Sequence, residues 1–503
     1  MREIYPLSIK RENKVIIFIL LIFLCGSLIG LNRTSNYQAD ESYYIFSAMK
    51  MNQTGNWMVP YYEDGNPRFQ KPILFYWMVA FIYKILGIGI WQARVVSLFF
   101  GILNLILIYK FTLLLFNSRR ISLFSMIILA SNIMFCIYSK AAVTDMTLLY
   151  FMNLSIYFFY KFIDDDKEKN LILAYLFSGL AVATKGPVGF LIPFSIMIIY
   201  SFYINGIKGV KKIFSIKGIL IFLLISLFWP VYMYIKFNGI FLNHFFNIEV
   251  KRRVSFLPGD QIKKLIFYLN TILRYAHIWV ILLLIMIFIK RKKVVVYKKE
   301  NKMFLLIWIT VVLVLFTFFI SMHRSRYILP LFFPLSMIIA IYLEDMKKKS
   351  IYIIGVLFFL VFVLVNGIVT PLLKPEAMRK LCNFIKEKNR KIITIGVTQR
   401  SRVWVVLFTE KDISNVYSNI NNFENFKNQK FYLIIRKNLW ERIPFNSKLG
   451  IIEARSSYNF KNKFKFKYFL KALISGIKKK KIANEIEALI NRHKEEYLLI
   501  KGG

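Results

Sequence analysis

Eleven stretches of the chain, one of them only 14 residues long, are candidates to cross a lipid bilayer, and this pattern restricts the fold more than any other feature. A hydrocarbon core of about 30 Å needs roughly 20 apolar residues of helix. Runs of this kind lie at 14–31, 94–115, 121–141, 146–163, 171–184, 187–204, 216–236, 265–290, 303–321, 327–344 and 350–370. Each is expected to be helical, because the core holds no water to satisfy open backbone N–H and C=O groups. The expected fold is an all-α polytopic membrane domain over residues 1–370. With 57% hydrophobic residues, the composition excludes a soluble globular protein. One further apolar stretch, 72–88, is ambiguous between a crossing and an interfacial helix.

The charge balance, 70 Lys+Arg against 27 Asp+Glu, gives +43. In a soluble chain that excess would suggest nucleic acid, but the hydropathy argues against it. Residues 1–370 hold 41 basic and 16 acidic groups, leaving 29 and 11 for 371–503. Short cytoplasmic loops collect Lys and Arg, which sets the threading. A basic N-terminus (Arg2, Lys10, Arg11, Lys14) starts inside. Placing 72–88 in the interface then puts residues 118–120, 208–217, 290–302 and 347–349 on the cytoplasmic side. Counting it as a crossing would put most of them outside. The expectation is eleven spans, with the N-terminus in, the C-terminus out, and 32–93 as a long external loop carrying interfacial helices. The first run follows a basic segment, as a signal peptide would, but it is long and no A-x-A site follows, so an uncleaved anchor is expected. Cys25, Cys136 and Cys382 are too scattered for a metal cluster or a disulfide framework.

Beyond Pro371 the apolar runs shorten to 392–397, 403–408 and 431–435, which read as strands. A small α/β extracytoplasmic domain over 371–503 is expected, ending in a basic helix across Lys471 to Arg492. Its surplus of positive charge would attract anionic lipid headgroups, or it is simply a solvated surface. No internal repeat is visible.

Acidic residues are scarce on the outer side of this threading: Asp40, Glu41, Glu63, Asp64, Asp145, Glu249 and Asp260. Asp40 and Glu41 follow the first span and Asp145 sits at the edge of the fourth, where ionisable groups usually face a polar cavity. Alternatively Asp40 serves as the N-cap of a helix over 41–52. Cations gather on the same side against the charge bias: Lys71, Lys185, Lys251 to Arg253, Arg324 and Arg326. Lys185 is the most telling, lying between two apolar segments with no acidic neighbour in sequence. Such cations suit phosphate oxygens; snorkelling to headgroups is the other reading and covers Lys251 and Arg252 better. His244, His277 and His323 have no ligand spacing and read as structural. There is no P-loop or GxGxxG motif, so no nucleotide site is expected.

Asp40-Glu41-Ser42-Tyr43-Tyr44, Gly55-Asn56-Trp57-Met58-Val59-Pro60 and Phe69-Gln70-Lys71-Pro72 through Tyr76-Trp77, with Arg94 beyond, run in order along the external loop. They resemble the DE-x-x-Y, G-x-W-x-x-P and F-x-KP-x-x-x-YW series of the family 39 glycosyltransferases of GT-C type. Asp145, Thr184-Lys185-Gly186, Trp229-Pro230, Phe245 through Glu249 to Arg253, and Arg326 through Pro330 continue the likeness over nearly all of 40–335. It is closest to the lipid A aminoarabinose transferases and more distant from the protein O-mannosyltransferases.

The resemblance implies transfer of a sugar from a polyprenyl phosphate donor to an envelope acceptor, lipid A or a related glycolipid, with inversion, on the outer face of the cytoplasmic (inner) membrane. It implies Asp40 as the principal catalytic carboxylate, with Glu41 and Asp145 shaping the pocket. Lys71, Lys185, Arg253, Arg326 and Tyr327 would hold the donor phosphate. Partners implied are the polyprenyl-linked donor, a lipid or glycan acceptor and membrane lipids, with no nucleic acid. Gln70 and Val250 replace a Glu and a His that could bind a divalent metal in related enzymes, which puts metal dependence in doubt. Tyr43 replaces an Arg common in the first motif, which bears on acceptor or sugar recognition. The rival readings are a protein O-glycosyltransferase of the same family, a lipid or solute transporter, which would usually show paired repeats and a midplane site, and a nonenzymatic sensor. The last leaves Asp40, Asp145 and Lys185 without a role.

Overall fold

The computed structural model describes residues 5–32, 40–63, 65–250, 260–289, 298–344, 346–364, 382–383, 391–395, 415–417, 431–436, 451–460 and 494–502. They form two compact units: Met1–Leu31 with Ser47–Val363, and Asn32–Phe46 with Leu364–Gly503.

The first unit is helical. Its elements are α1 (Tyr5–Leu28), α2 (Glu41–Thr54, whose first turns belong to the second unit), α3 (Leu74–Leu86), α4 (Ile90–Phe116), α5 (Arg119–Ala130), α6 (Ile133–Ser139) and α7 (Asp145–Asp165). Then follow α8 (Glu168–Lys185), α9 (Val188–Lys212), α10 (Ile216–Asn243), α11 (Gln261–Ile289), α12 (Lys299–Val314), α13 (Phe332–Tyr342) and α14 (Lys348–Leu364). Each of the eleven expected stretches is mainly helical where it is described. Among the described residues, six helical stretches are long and apolar enough to cross a membrane, or eight if each of two bent pairs is one span. The segment 72–88 becomes α3, whose 13 residues rise only about 20 Å, short of a hydrocarbon core.

The bends were not expected. Asn132 interrupts the 121–141 run by capping α6, its side chain accepting from Phe135 N at 3.0 Å, and α5 and α6 meet at 67°. α11 turns by 98° between Ala276 and Ile278. In α10, Asn238 takes a left-handed φ of 46° and kinks the helix near its end.

Lipid gives no hydrophobic driving force between helices, so membrane cores rely on close approach and interhelical hydrogen bonds. Both are present. Asn104 on α4 donates to Met146 O at 3.3 Å and accepts from Asn153 Nδ2 at 3.2 Å, stitching α4 to α7. Ser155 donates to Ala174 O at 2.8 Å across α7 and α8, and Tyr160 donates to Asn301 Oδ1 at 2.8 Å across α7 and α12. Gly189 on α9 lies against the α8 backbone, where a Cβ would come within 2.6 Å of Val182 N.

The second unit contains a five-stranded mixed sheet of β1 (Lys391–Ile395), β2 (Asn415–Tyr417), β3 (Phe431–Arg436), β4 (Ile451–Phe460) and β5 (Lys494–Gly502), in the order β2-β1-β3-β5-β4. β1 pairs in parallel with β2 and β3, while β5 pairs antiparallel with β3 and β4. Two of the short apolar runs are thus strands; the run at 403–408 and the basic helix at 471–492 lie outside the described residues. Leu433 and Ile434 point to opposite faces and both are fully buried, so β3 is covered on both sides.

Gly189→Val should destabilise the membrane unit by about 1–3 kcal/mol through overpacking against α8, whereas Gly239→Ala, with open space around its Cβ position, should leave stability unchanged. Thermal unfolding in one detergent would compare them, and equal effects would contradict the close α8–α9 contact.

Candidate active site

α7 and α8 form an antiparallel hairpin, so the first residue of one and the last residue of the other meet at the same end. Those residues are Asp145 and Lys185. Lys185 Nζ lies 2.7 Å from Asp145 Oδ1, with side-chain exposures of 12% and 3%. A carboxylate in a first helical turn and an ammonium in a last one both complement the helix dipoles. Gly186 follows with φ of 92°, a backbone that favours glycine, and turns the chain into Pro187 and α9. Lys185 therefore has an acidic partner after all, 40 residues away in sequence.

Lys71 is buried at the end of a loop, 55–73, which joins α2 to α3 and is tightly organised. Asn56 Oδ1 accepts from Met58 N and Val59 N at 3.2 and 3.3 Å, a local turn that sets the start of the loop. Tyr62 N donates to Asn66 O and Arg68 N to Pro60 O, closing a small hairpin at Tyr61 and Pro67. Two indoles hold this loop by its backbone: Trp77 Nε1 donates to Trp57 O at 2.6 Å and Trp229 Nε1 to Met58 O at 2.9 Å. Phe69 packs edge-on against Phe237, Phe241 and His244 at 5.2 to 5.6 Å between centroids, which gives His244 a packing role.

Three buried cations complete this part of the unit. Arg68 is 1% exposed, with its guanidinium over the Tyr62 and Tyr76 rings at 5.6 and 5.7 Å. Arg94 donates to Leu31 O at 2.6 Å and Lys140 to Ile29 O at 2.5 Å, so both grip carbonyls just past the end of α1. That placement complements the negative end of a helix. Arg68 and Lys140 were not among the expected site residues, and Arg94 was noted only within a motif. The available signal was a fixed charge inside or beside an apolar run.

Of the other expected residues, Arg326 and Tyr327 are half-buried on a 3-10 turn, Ser325–Leu331, with the Tyr327 ring stacked on Phe316 at 5.2 Å. Asp40 is half-buried directly before α2, its carbonyl accepting from Tyr43 N at 3.2 Å, and Glu41 is fully buried. Both belong to the second unit. Arg253 and the side chains of Glu249 and Val250 lie outside the described residues. Among the described residues, no cluster of three or more His, Cys, Asp or Glu could hold a metal ion. The structure thus brings Asp145 and Lys185 together directly and buries Lys71 at the end of an aromatic loop. It combines cations with a carboxylate in a low-dielectric setting, where charge on a departing anion is stabilised most strongly.

The dolichyl-phosphate-mannose-protein mannosyltransferase family model matches residues 70–234. An uncharacterised protein of Aquifex aeolicus is 30% identical over 352 residues, 69% of this chain and 76% of its own length. The undecaprenyl phosphate-alpha-4-amino-4-deoxy-L-arabinose arabinosyl transferase of Wigglesworthia glossinidia brevipalpis is 30% identical over 356 residues, 68% of this chain and 60% of its own length. The chain thus spans about three-fifths of that transferase. Among solved structures, ArnT from Cupriavidus metallidurans bound to undecaprenyl phosphate superposes with a TM-score of 0.71 at 15% identity, covering 87% of this chain and 95% of that one. The chain belongs to the GT-C membrane glycosyltransferases, in the group that contains the aminoarabinose transferases.

Proposed function

We propose that this enzyme transfers a sugar from a polyprenyl phosphate donor to an envelope acceptor, lipid A or a related glycolipid, on the outer face of the cytoplasmic membrane. The observation that carries the reading is the buried Asp145–Lys185 pair at the shared end of α7 and α8, in a chain whose named relatives use an undecaprenyl-linked sugar. Lys185 and Lys71, with Arg253, Arg326 and Tyr327, hold the donor phosphate and stabilise it as it leaves. Asp145 keeps Lys185 charged and in place. Asp40 orients the acceptor hydroxyl or takes its proton, with Glu41 shaping the same pocket. If the acceptor is itself a phosphate it is already anionic, and Asp40 then positions the sugar. No metal is assigned a role.

In the proposed threading the chain makes eleven crossings, with the N-terminus cytoplasmic. Residues 1–370 form the transferase domain, and 371–503 an extracytoplasmic α/β domain.

Cells lacking the gene should lose one sugar increment from an envelope glycolipid, seen by mass spectrometry. The wild-type gene should restore it and Asp40→Asn should not, although that variant inserts and purifies normally. Restoration by Asp40→Asn would remove Asp40 from the chemistry, and loss from a protein instead of a lipid would favour O-glycosylation of protein.

Lys185→Met leaves Asp145 buried without its cation and should cost about 3–5 kcal/mol of stability. Adding Asp145→Asn should recover part of that stability, while turnover stays down by on the order of 100-fold or more. Turnover that returns together with stability would make the pair purely structural.

Single cysteines at Asn66, in the 55–73 loop, and at Asn366, outside the described residues, should both react with an impermeant thiol reagent from the outer side. Reaction only from the cytoplasm at either position would overturn the threading.

A further inference from the structure

Away from the transfer site, α1, α5 and α14 enclose an apolar cavity of about 300 Å³. Its walls include Phe18 and Ile22 of α1, Ile127 of α5, and Tyr352, Val356 and Phe359 of α14. The Ser131 hydroxyl beside it is already engaged, donating to Ile127 O at 2.8 Å and accepting from Trp279 Nε1 at 2.9 Å. Phe18 is 60% exposed, and Ile17, Leu21, Leu357 and Leu360 beside it are also exposed, so the cavity borders the lipid-facing surface.

The three helices run parallel. Phe23 meets Phe359 at 5.8 Å between centroids, and three residues later a Cβ on Gly26 would strike Phe359 and Val363. Arg120 donates to Met346 O at 2.5 Å, and about two turns further on a Cβ on Gly355 would strike Ile127. All three N-termini therefore lie at one end, and each carries a cation on the face that leads into the cavity. Lys14 precedes Phe18 by one turn, Lys349 precedes Tyr352 and Val356, and Arg120 lies over Phe124 at 5.6 Å, two turns before Ile127. Arg119 and Lys347 add to this end, and Glu12 of α1 and Glu344 lie at it too. The buried Nε of Arg120 has no hydrogen-bond partner among the described residues. Helix N-termini add further positive potential.

We propose that this groove binds an anionic glycerophospholipid of the surrounding membrane, one acyl chain in the apolar cavity and the phosphate between Lys14, Arg120 and Lys349. An apolar cavity of this kind stays dry and favours an apolar occupant. The cluster of cations matches a headgroup of opposite sign at the level where a lipid of that leaflet carries it.

The test uses the purified full-length protein in neutral detergent, with dioleoyl phosphatidylglycerol and dioleoyl phosphatidylcholine as probes. Native mass spectrometry counts retained lipid and thermal unfolding reports stabilisation. Phosphatidylglycerol should be retained at one per chain and raise the melting temperature, and phosphatidylcholine should do neither. Each basic residue near such a headgroup is worth on the order of fivefold in affinity, so Lys14→Gln/Arg120→Gln/Lys349→Gln should weaken phosphatidylglycerol binding at least about tenfold. Val356→Trp, which fills the cavity, should weaken it as well. Equal retention of the two lipids, or full retention by the triple variant, would overturn the proposal. Displacement of phosphatidylglycerol by equimolar undecaprenyl phosphate would also overturn it, by assigning the groove to a polyprenyl chain. Should Val356→Trp unfold in the absence of lipid, the triple variant alone decides.

Discussion

One ion pair bridges two helix ends of the first unit in a low-dielectric setting. A lone carboxylate or ammonium at the depth of Asp145 or Lys185 would be costly, and at 2.7 Å each removes much of the other's penalty. The pair is possible because α7 and α8 are antiparallel and because Gly186 turns the chain away immediately after the lysine. The hairpin is also held along its length by the Ser155 bond to Ala174 O. A buried pair of this kind is weak evidence for stability alone. In a unit that also buries Lys71, and an arginine that faces two tyrosine rings, it reads more naturally as part of a site kept ready for an anionic group.

Hydropathy made the helices legible, because the length of an apolar run is a direct physical requirement of the bilayer. The bends were illegible for the same reason. Ser131 and Asn132 are small polar residues inside an otherwise apolar run, and window-averaged hydropathy absorbs them, yet Asn132 starts a new helix through its side chain. Asp145 was marked by lying at a span edge and Lys185 by lying at one against the charge bias, but their pairing was not, since 40 residues of helical hairpin separate them. Arg94 and Lys140 were harder still: their partners are backbone carbonyls of Leu31 and Ile29, which carry no sequence signature. In the second unit, β1 and β3 were visible as short Ile-rich runs. The position of β5 between β3 and β4 depends on long-range pairing that no local pattern encodes.

The loop 55–73 shows how a sequence motif can store geometry in a mixture of side chains and main chain. Trp77 and Trp229 act as donors, but what they hold are the carbonyls of residues 57 and 58. Every residue type supplies a carbonyl there, so position 58 is free to change its side chain without loosening the loop. The two indoles have no such freedom, because a long aromatic side chain with a single N–H at its far edge has no substitute among the other residues. Sequence drift in this loop should therefore be uneven, tolerant where the chain is held and intolerant where it does the holding. That asymmetry makes the loop's identity readable from two tryptophans that are 152 residues apart in the chain.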